Sequence, residues 1–211
     1  MLPNMAQNWN QYYEQYGPMT PQEDMPRVVG LFKERGIRKV LDLGCGSGRH
    51  LVYLAGQGFE VFGIDIAEKA NELAASWLRE KELRAEVSIG SIFERLPYED
   101  DFFDAIVTTK VINHGRIEDI RKAIKEIERV LKPKGLIFIE VSKGRKARDS
   151  KKQRSRSEII DPRTIVLMTG KEKGIIHYLF NKAILLKELR NFKIFDFWVD
   201  SQANYCLLGE H

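Results

Sequence analysis

Four short, almost wholly apolar runs, Val40 to Leu43, Val61 to Ile64, Ala105 to Thr108 and Leu136 to Val141, recur along the chain with amphipathic stretches between them. A strand reads as continuously apolar when both its faces are buried, and amphipathic helices are what cover them. The alternation predicts an α/β fold, a doubly wound and mostly parallel sheet with right-handed crossovers. Its clearest helix is predicted over Ile117 to Leu131, where Ile117, Ile120, Ile124, Ile127 and Leu131 recur at three or four residues and Glu118 pairs with Lys122 on the wet side. Pro133 and Gly135 stop it. Thr20-Pro21-Gln22-Glu23 has the form of a capping box and predicts a helix from there to about Arg35, with Gly36 beyond its end. Near the other end, Phe192 to Val199 and Tyr205 to Leu208 read as a hairpin across Asp200 to Asn204, which predicts a last, antiparallel strand.

A chain of 211 residues with 43% hydrophobic residues can build one sizeable core, which excludes global disorder. The net charge is +4, but Lys143 to Arg156 alone carries +7 and leaves the remainder at −3. A protein that coats nucleic acid with its whole surface is therefore not expected. Cys45 and Cys206 lack the spacing of a metal site or a disulfide framework, as in a reducing compartment, and no metal is expected. The first 26 residues hold no Lys or Arg, and no run of about 18 apolar residues occurs, so a cytoplasmic protein without membrane spans is expected.

The segment Val40-Leu-Asp-Leu-Gly-Cys-Gly-Ser-Gly-Arg-His50 leads a strand through a glycine turn into a helix, the arrangement that presents backbone amides to a nucleotide-like ligand. The glycines are Gly44, Gly46 and Gly48, whereas a dinucleotide fingerprint places its third glycine where Arg49 stands. Asp42, two residues before the first glycine, would repel a pyrophosphate and suit a ligand carrying an ammonium and a sulfonium. About twenty residues further on, Asp65 ends the second run and can accept from both hydroxyls of a ribose.

Four ordered motifs, VLDLGCGSGRH, GIDIAEKA, LPYEDDFFDAIV and ERVLKPKGLIFIEV, spread over roughly residues 38 to 142, resemble those of class I S-adenosylmethionine-dependent methyltransferases. The resemblance implies a seven-stranded Rossmann-like sheet, six strands parallel and the last antiparallel. It implies S-adenosylmethionine as cofactor and S-adenosylhomocysteine as product. It places Asp42, Gly44, Cys45 and Gly46 around the cofactor's methionine part, Asp65 at its ribose, Ile66 on an adenine face, Ser91 and Ile92 at the adenine edge, and Thr109 and Lys110 at the methionine end facing the acceptor. Many members carry an acid where Ser91 stands. One domain is expected over 1–211: an aromatic lid and helix (1–36), a cofactor-binding core (37–142), a basic loop (143–157) and a substrate-side segment ending in the hairpin (158–211).

Several residues admit two readings. His114, just past the third apolar run, is either a general base or a cap or pocket wall. His177, followed by Tyr178, either lines the substrate pocket or packs in the core. Trp9, Tyr12, Tyr13 and Tyr16 either pack a short helix on the body or form a lid, with Tyr12 and Tyr13 bounding the pocket. Arg49 faces solvent or approaches the cofactor's carboxylate, the first being preferred. Cys45 serves as a small side chain rather than a reactive thiol. The basic run 143–156 is a solvated loop or binds RNA, although it lacks interleaved aromatic residues. The preferred reading is methyl transfer to a small-molecule acceptor; the alternatives are an RNA methyltransferase, tRNA included, and a cofactor-binding protein without transfer activity.

Overall fold

The computed structural model describes residues 4–16, 20–144 and 157–211. All but the first two residues of the basic run 143–156 therefore lie outside the described residues, and so does the Gly17-Pro18 stop.

The predicted runs form β1 (Lys39–Leu43), β2 (Glu60–Asp65), β4 (Phe103–Thr109) and β5 (Leu131–Ser142). With β3 (Glu86–Ile89), β9 (Lys193–Val199) and β10 (Asn204–Glu210) they make a seven-stranded sheet in the order β3-β2-β1-β4-β5-β10-β9. The pairs among β1 to β5 are parallel, and β10 runs antiparallel to both β5 and β9. Six strands thus share one direction and the last opposes them, as expected. β3 escaped the pattern because it is a four-residue edge strand with Ile89 62% exposed, so only half of it carries an apolar signal.

Helices α2 (Met25–Glu34), α3 (Arg49–Gly56), α4 (Glu68–Glu80) and α5 (Ile117–Val130) cover the two faces. Alternation along each strand sorts the core. Leu41, Leu43, Ile106, Ile137 and Ile139 point to the face packed by Ile120, Ile124 and Ile127 of α5. Val40, Val107 and Phe138 point to the other, where Met25, Val28 and Phe32 of α2 and Leu51 and Leu54 of α3 lie. Each such fully buried side chain contributes about 1.5–3 kcal/mol by leaving water.

Two boundaries differ from expectation. The helix predicted from Thr20 begins at Met25, after Asp24 and with Pro26 in its first turn. The capping box does not form because its groups are engaged elsewhere: Glu23 Oε1 accepts from Ser201 N (2.7 Å), and Gln22 N donates to His50 Nε2 (3.2 Å). Tertiary ties outweigh the local cap. At the end of α5, the chain enters β5 directly at Leu131; Pro133 and Gly135 fall in a register irregularity where Phe103 faces Leu131 and Ala105 faces Leu136.

A second, antiparallel sheet of β6 (Ser157–Asp161), β7 (Thr164–Leu167) and β8 (Ile176–Tyr178) was not foreseen. It stands beside the post-β4 turn, where Tyr178 N donates to Asn113 O (2.7 Å). A short helix, α6 (Lys182–Glu188), leads to β9, and α1 (Met5–Gln15) lies against α4. Among the described residues no helix is long and apolar enough to cross a membrane.

Candidate functional site

The strand order reverses at β1, which has β2 on one side and β4 on the other, and a crevice opens there above the carboxyl ends of the parallel strands. The glycine turn after β1 forms its floor. Gly44 N and Cys45 N both donate to Ile64 O (2.8 and 3.1 Å), Gly46 N donates to Asp65 Oδ2 (2.9 Å), and Gly48 N to Cys45 O (3.1 Å). These amides are consumed by the fold. A phosphate, which needs several free donors, would find few here, whereas a ligand recognised by shape and by carboxylates is suited to the turn. Gly44, Gly46 and Gly48 all have positive φ (+77°, +53° and +92°), which only glycine adopts without strain.

Asp65 ends β2 beside this turn and is buried. Its two oxygens accept from Gly46 N and from Ala67 N (2.9 Å each), which fixes the carboxylate plane and leaves further lone pairs for a ligand. Burial raises its pKa, while the amides of Ala67, Gly46 and Ile66 work the other way. Gly44, Cys45, Gly46, Asp65 and Ile66 line one cavity of about 230 Å³ together with Ser91 and Ile92. Ser91 Oγ accepts from Phe93 N (3.2 Å), so its own turn already uses it. Cys45 is buried and its thiol is pushed well above the ordinary value by that burial, with Asp65 and Asp42 adding to it, so it holds its proton.

Asp42 does not reach this cavity. It is 1% exposed, behind the turn, and its carboxyl is raised to about 7 by burial and by Asp65, against the pull of Arg49. Its place in β1, paired with Gly63 and Val107, keeps it beneath the turn and off the cavity lining. His50 stands between: Gln22 N donates to Nε2 (3.2 Å), so Nδ1 carries the proton and faces Thr109 Oγ1 (3.4 Å) and Asp42 Oδ1 (3.9 Å). Burial holds His50 well below the usual histidine range, so this contact is between a neutral ring and a weak acid rather than an ion pair.

Thr109 and Lys110 line the cavity from the end of β4. Arg49, expected to face solvent, also lines it and donates from Nη2 to Thr109 Oγ1 (3.0 Å). Lys110 sits at φ +58°, a left-handed conformation rare for a side-chain-bearing residue, and its Nζ reaches Gln202 Oε1 (2.8 Å) and buried Glu140 Oε1 (3.6 Å). The Arg49 guanidinium therefore marks this end of the cavity, while the Lys110 ammonium is held by Gln202 and Glu140.

Helix α1 covers the opening. Asn10 Oδ1 accepts from Lys69 N (3.0 Å) at the start of α4, and Asn8 Nδ2 donates to Gly174 O (2.8 Å). Tyr12 and Tyr13 face the cavity, and a Cβ built on Gly46 would lie 2.3 Å from the Tyr13 hydroxyl. Trp9 packs edge-on against His114, ring centroids 5.0 Å apart. His114 Nδ1 lies 3.1 Å from Ile176 O, which sets the proton on Nδ1 and leaves Nε2 as the basic atom. Burial lowers this histidine to about 4, with neighbouring His177 adding to the effect and Glu172 opposing it.

His177 and Tyr178 do not line this cavity. They border a separate one of about 350 Å³, with Asn113, Ser142 and Leu179. The His177 ring meets that of His114 edge-on, 4.7 Å centroid to centroid. The cavity's own contribution from this region is Glu172, in the β7–β8 loop, whose Oε2 stands 3.2 Å from His177 Nε2. Glu172 went unnoticed in the sequence because Thr169-Gly-Lys-Glu-Lys-Gly174 reads as an ordinary charged turn.

Residues 40–135 match a family described as methyltransferase domain. An uncharacterized methyltransferase of Bacillus subtilis, YcgJ, is 32% identical over 117 residues, covering 56% of this chain and 46% of its own. The chloroplastic tocopherol O-methyltransferase of Arabidopsis thaliana is 35% identical over 112 residues, 51% of this chain and 31% of that one. The chain thus spans less than half the length of these curated relatives. Among solved structures, that of a SAM-dependent methyltransferase from Methanosarcina mazei superposes with a TM-score of 0.74 at 23% identity, over 91% of this chain and 98% of that one.

Proposed function

Because the chain belongs to the class I S-adenosylmethionine-dependent methyltransferase family, we propose that its cavity binds S-adenosylmethionine and passes a methyl group to a small-molecule acceptor, leaving S-adenosylhomocysteine. The observation that carries this reading is the Asp65 carboxylate, clamped by two amides beside a glycine turn whose own donors are spent. That combination suits a ribose and an adenine without phosphates. The cofactor supplies, when bound, a methyl group made electrophilic by a sulfonium sulfur.

The chain's residues would divide the work as follows. Asp65 accepts from the ribose hydroxyls, while Ile66 and Ile92 flank the adenine, with Ser91 at its edge. Gly44, Cys45 and Gly46 let the methionine part approach the backbone. Arg49, Thr109 and Lys110 lie at the cofactor's carboxylate end, the Arg49 guanidinium supplying the positive charge. Tyr12, Tyr13 and Trp9 close the opening and exclude water, so that orientation and desolvation rather than covalent help lower the barrier. His114, neutral and with Nε2 free of a proton, takes up the proton that the acceptor releases. The cover of Trp9, Tyr12 and Tyr13 over the cavity and the tocopherol methyltransferase's name both support a small acceptor. A cytoplasmic setting goes with this reading.

Calorimetric titration of S-adenosylmethionine tests it. Asp65→Ala is expected to weaken binding about ten-fold or more, since a hydrogen bond to a charged group is worth about 1.5–3 kcal/mol. An unchanged affinity would remove Asp65, and with it the cavity, from the cofactor site.

A further inference from the structure

We propose that the acceptor is a primary aromatic amine, recognised by Glu172. This rests on the methyl-transfer reading above and adds the class of molecule that enters.

The acceptor half of the cavity is walled by Trp9, Tyr12 and Phe93, which favour a flat ring. Two hydrogen-bond acceptors line it, the Glu172 carboxylate, whose Oε2 stands 3.2 Å from His177 Nε2, and the imidazole of His114, whose ring meets those of Trp9 and His177. A phenol has one hydrogen to give and satisfies one of the two. A primary amine has two: one is held by Glu172, and the other is available to His114.

Charge points the same way. Burial disfavours ionisation of Glu172, but His177, His114 and Lys110 around it outweigh that and keep its carboxyl below the usual range, so it is an anion at neutral pH. When an amine nitrogen is methylated, positive charge moves from sulfur to nitrogen. A carboxylate at the receiving end stabilises that shift. For a phenol the same carboxylate opposes the phenolate that must form first. His114, which holds a proton only below about pH 4, is too weak a base to take one from a phenol, whose proton leaves near pH 10. In the step itself the nitrogen lone pair forms the N–CH3 bond as the S–CH3 bond breaks with its pair left on sulfur. The surplus N–H proton then passes to His114 Nε2, giving a neutral methylated amine. A carboxylate acceptor would meet Glu172 as a like charge.

Three matched probes decide it: 4-ethylaniline, 4-ethylphenol and 4-ethylbenzoate. Their binding is measured by calorimetry on the protein saturated with S-adenosylhomocysteine, and their methylation with radiolabelled cofactor. The wild type is expected to bind the aniline about ten-fold more tightly than either oxygen probe. Glu172→Gln should erase that preference and Glu172→Asp largely retain it, with the affinity for S-adenosylhomocysteine held in both variants as the check on folding. Preference for the phenol or the benzoate, binding of none of the three, or an aniline preference that survives in Glu172→Gln overturns the proposal. Glu172-dependent aniline binding without methylation would uphold the recognition and overturn methyl transfer, so the two failures are distinct.

Discussion

Gly46→Val is expected to fold and to bind S-adenosylmethionine at least about 100-fold more weakly than the wild type, a loss of about 2.7 kcal/mol or more. Two effects combine. The residue sits at φ +53°, where a β-branched side chain is strained by roughly 1–2 kcal/mol, and its new Cβ would lie 2.3 Å from the Tyr13 hydroxyl, in the space between turn and lid. Relief of the backbone strain moves the Gly46 amide off Asp65, which loses one of its two clamps, and relief of the clash displaces Tyr13 from the cavity. Because Gly46 lies at the cavity and not among the side chains packed between sheet and helices, thermal unfolding followed by circular dichroism should show only a modest drop in Tm. A variant that binds as well as the wild type would show that the turn is not the cofactor's cradle.

The second large effect is on rate. His114→Gln preserves approximate shape and a hydrogen-bonding end but cannot take up a proton, and kcat is expected to fall by about 10²–10⁴ while the affinity for S-adenosylmethionine stays within a few-fold. The pH profile identifies the cause. Burial and His177 disfavour the imidazolium; Glu172 and the carbonyls of Ile176 and Lys110 favour it less strongly, so the ring is protonated only below about pH 4. Activity that needs the neutral ring is lost as pH falls through about 4 and is flat across the range where an ordinary histidine, near 6.5, would titrate. An acid limb centred near 6.5, or a Gln variant with wild-type kcat, would take the proton-transfer role away from His114.

What the sequence made legible is what repeats. The isoleucines of α5 recur at helical spacing because one face of that helix is buried along its whole length, and β1, β2, β4 and β5 read as apolar runs because helices cover them on both sides. Asp65 was readable for a related reason: a carboxylate ending a strand, one crossover past a glycine turn, has its position set by topology alone. The rest depends on contacts between distant segments. The strands β6 and β7 are short and partly exposed, with no consistent alternation across both, and β6 pairs through a bulge. Arg49 turns inward because Thr109, sixty residues away, offers an oxygen. His177 and Tyr178 border the neighbouring cavity, a placement that depends on the pairing of β8 with β7 rather than on a local pattern. Thr20 to Glu23 looked like a helix cap because the residues that claim Gln22 and Glu23, His50 and Ser201, are remote in sequence.

The attachment of α1 bears on the order of events in a catalytic cycle. No residue of this helix is fully buried, and its named polar anchors are two asparagine bonds, one to the start of α4 and one to Gly174. Yet it carries Tyr13 onto Gly46 and Trp9 onto His114, so a single element covers both halves of the cavity. On the methyl-transfer reading proposed above, neither ligand would exchange behind it independently: the cofactor would enter before the helix settles, the acceptor would arrive while it is raised or pass its edge, and the demethylated cofactor would leave only when it lifts again. Turnover would then be paced by the opening of a lightly moored helix, with the methyl transfer itself hidden behind a slower departure.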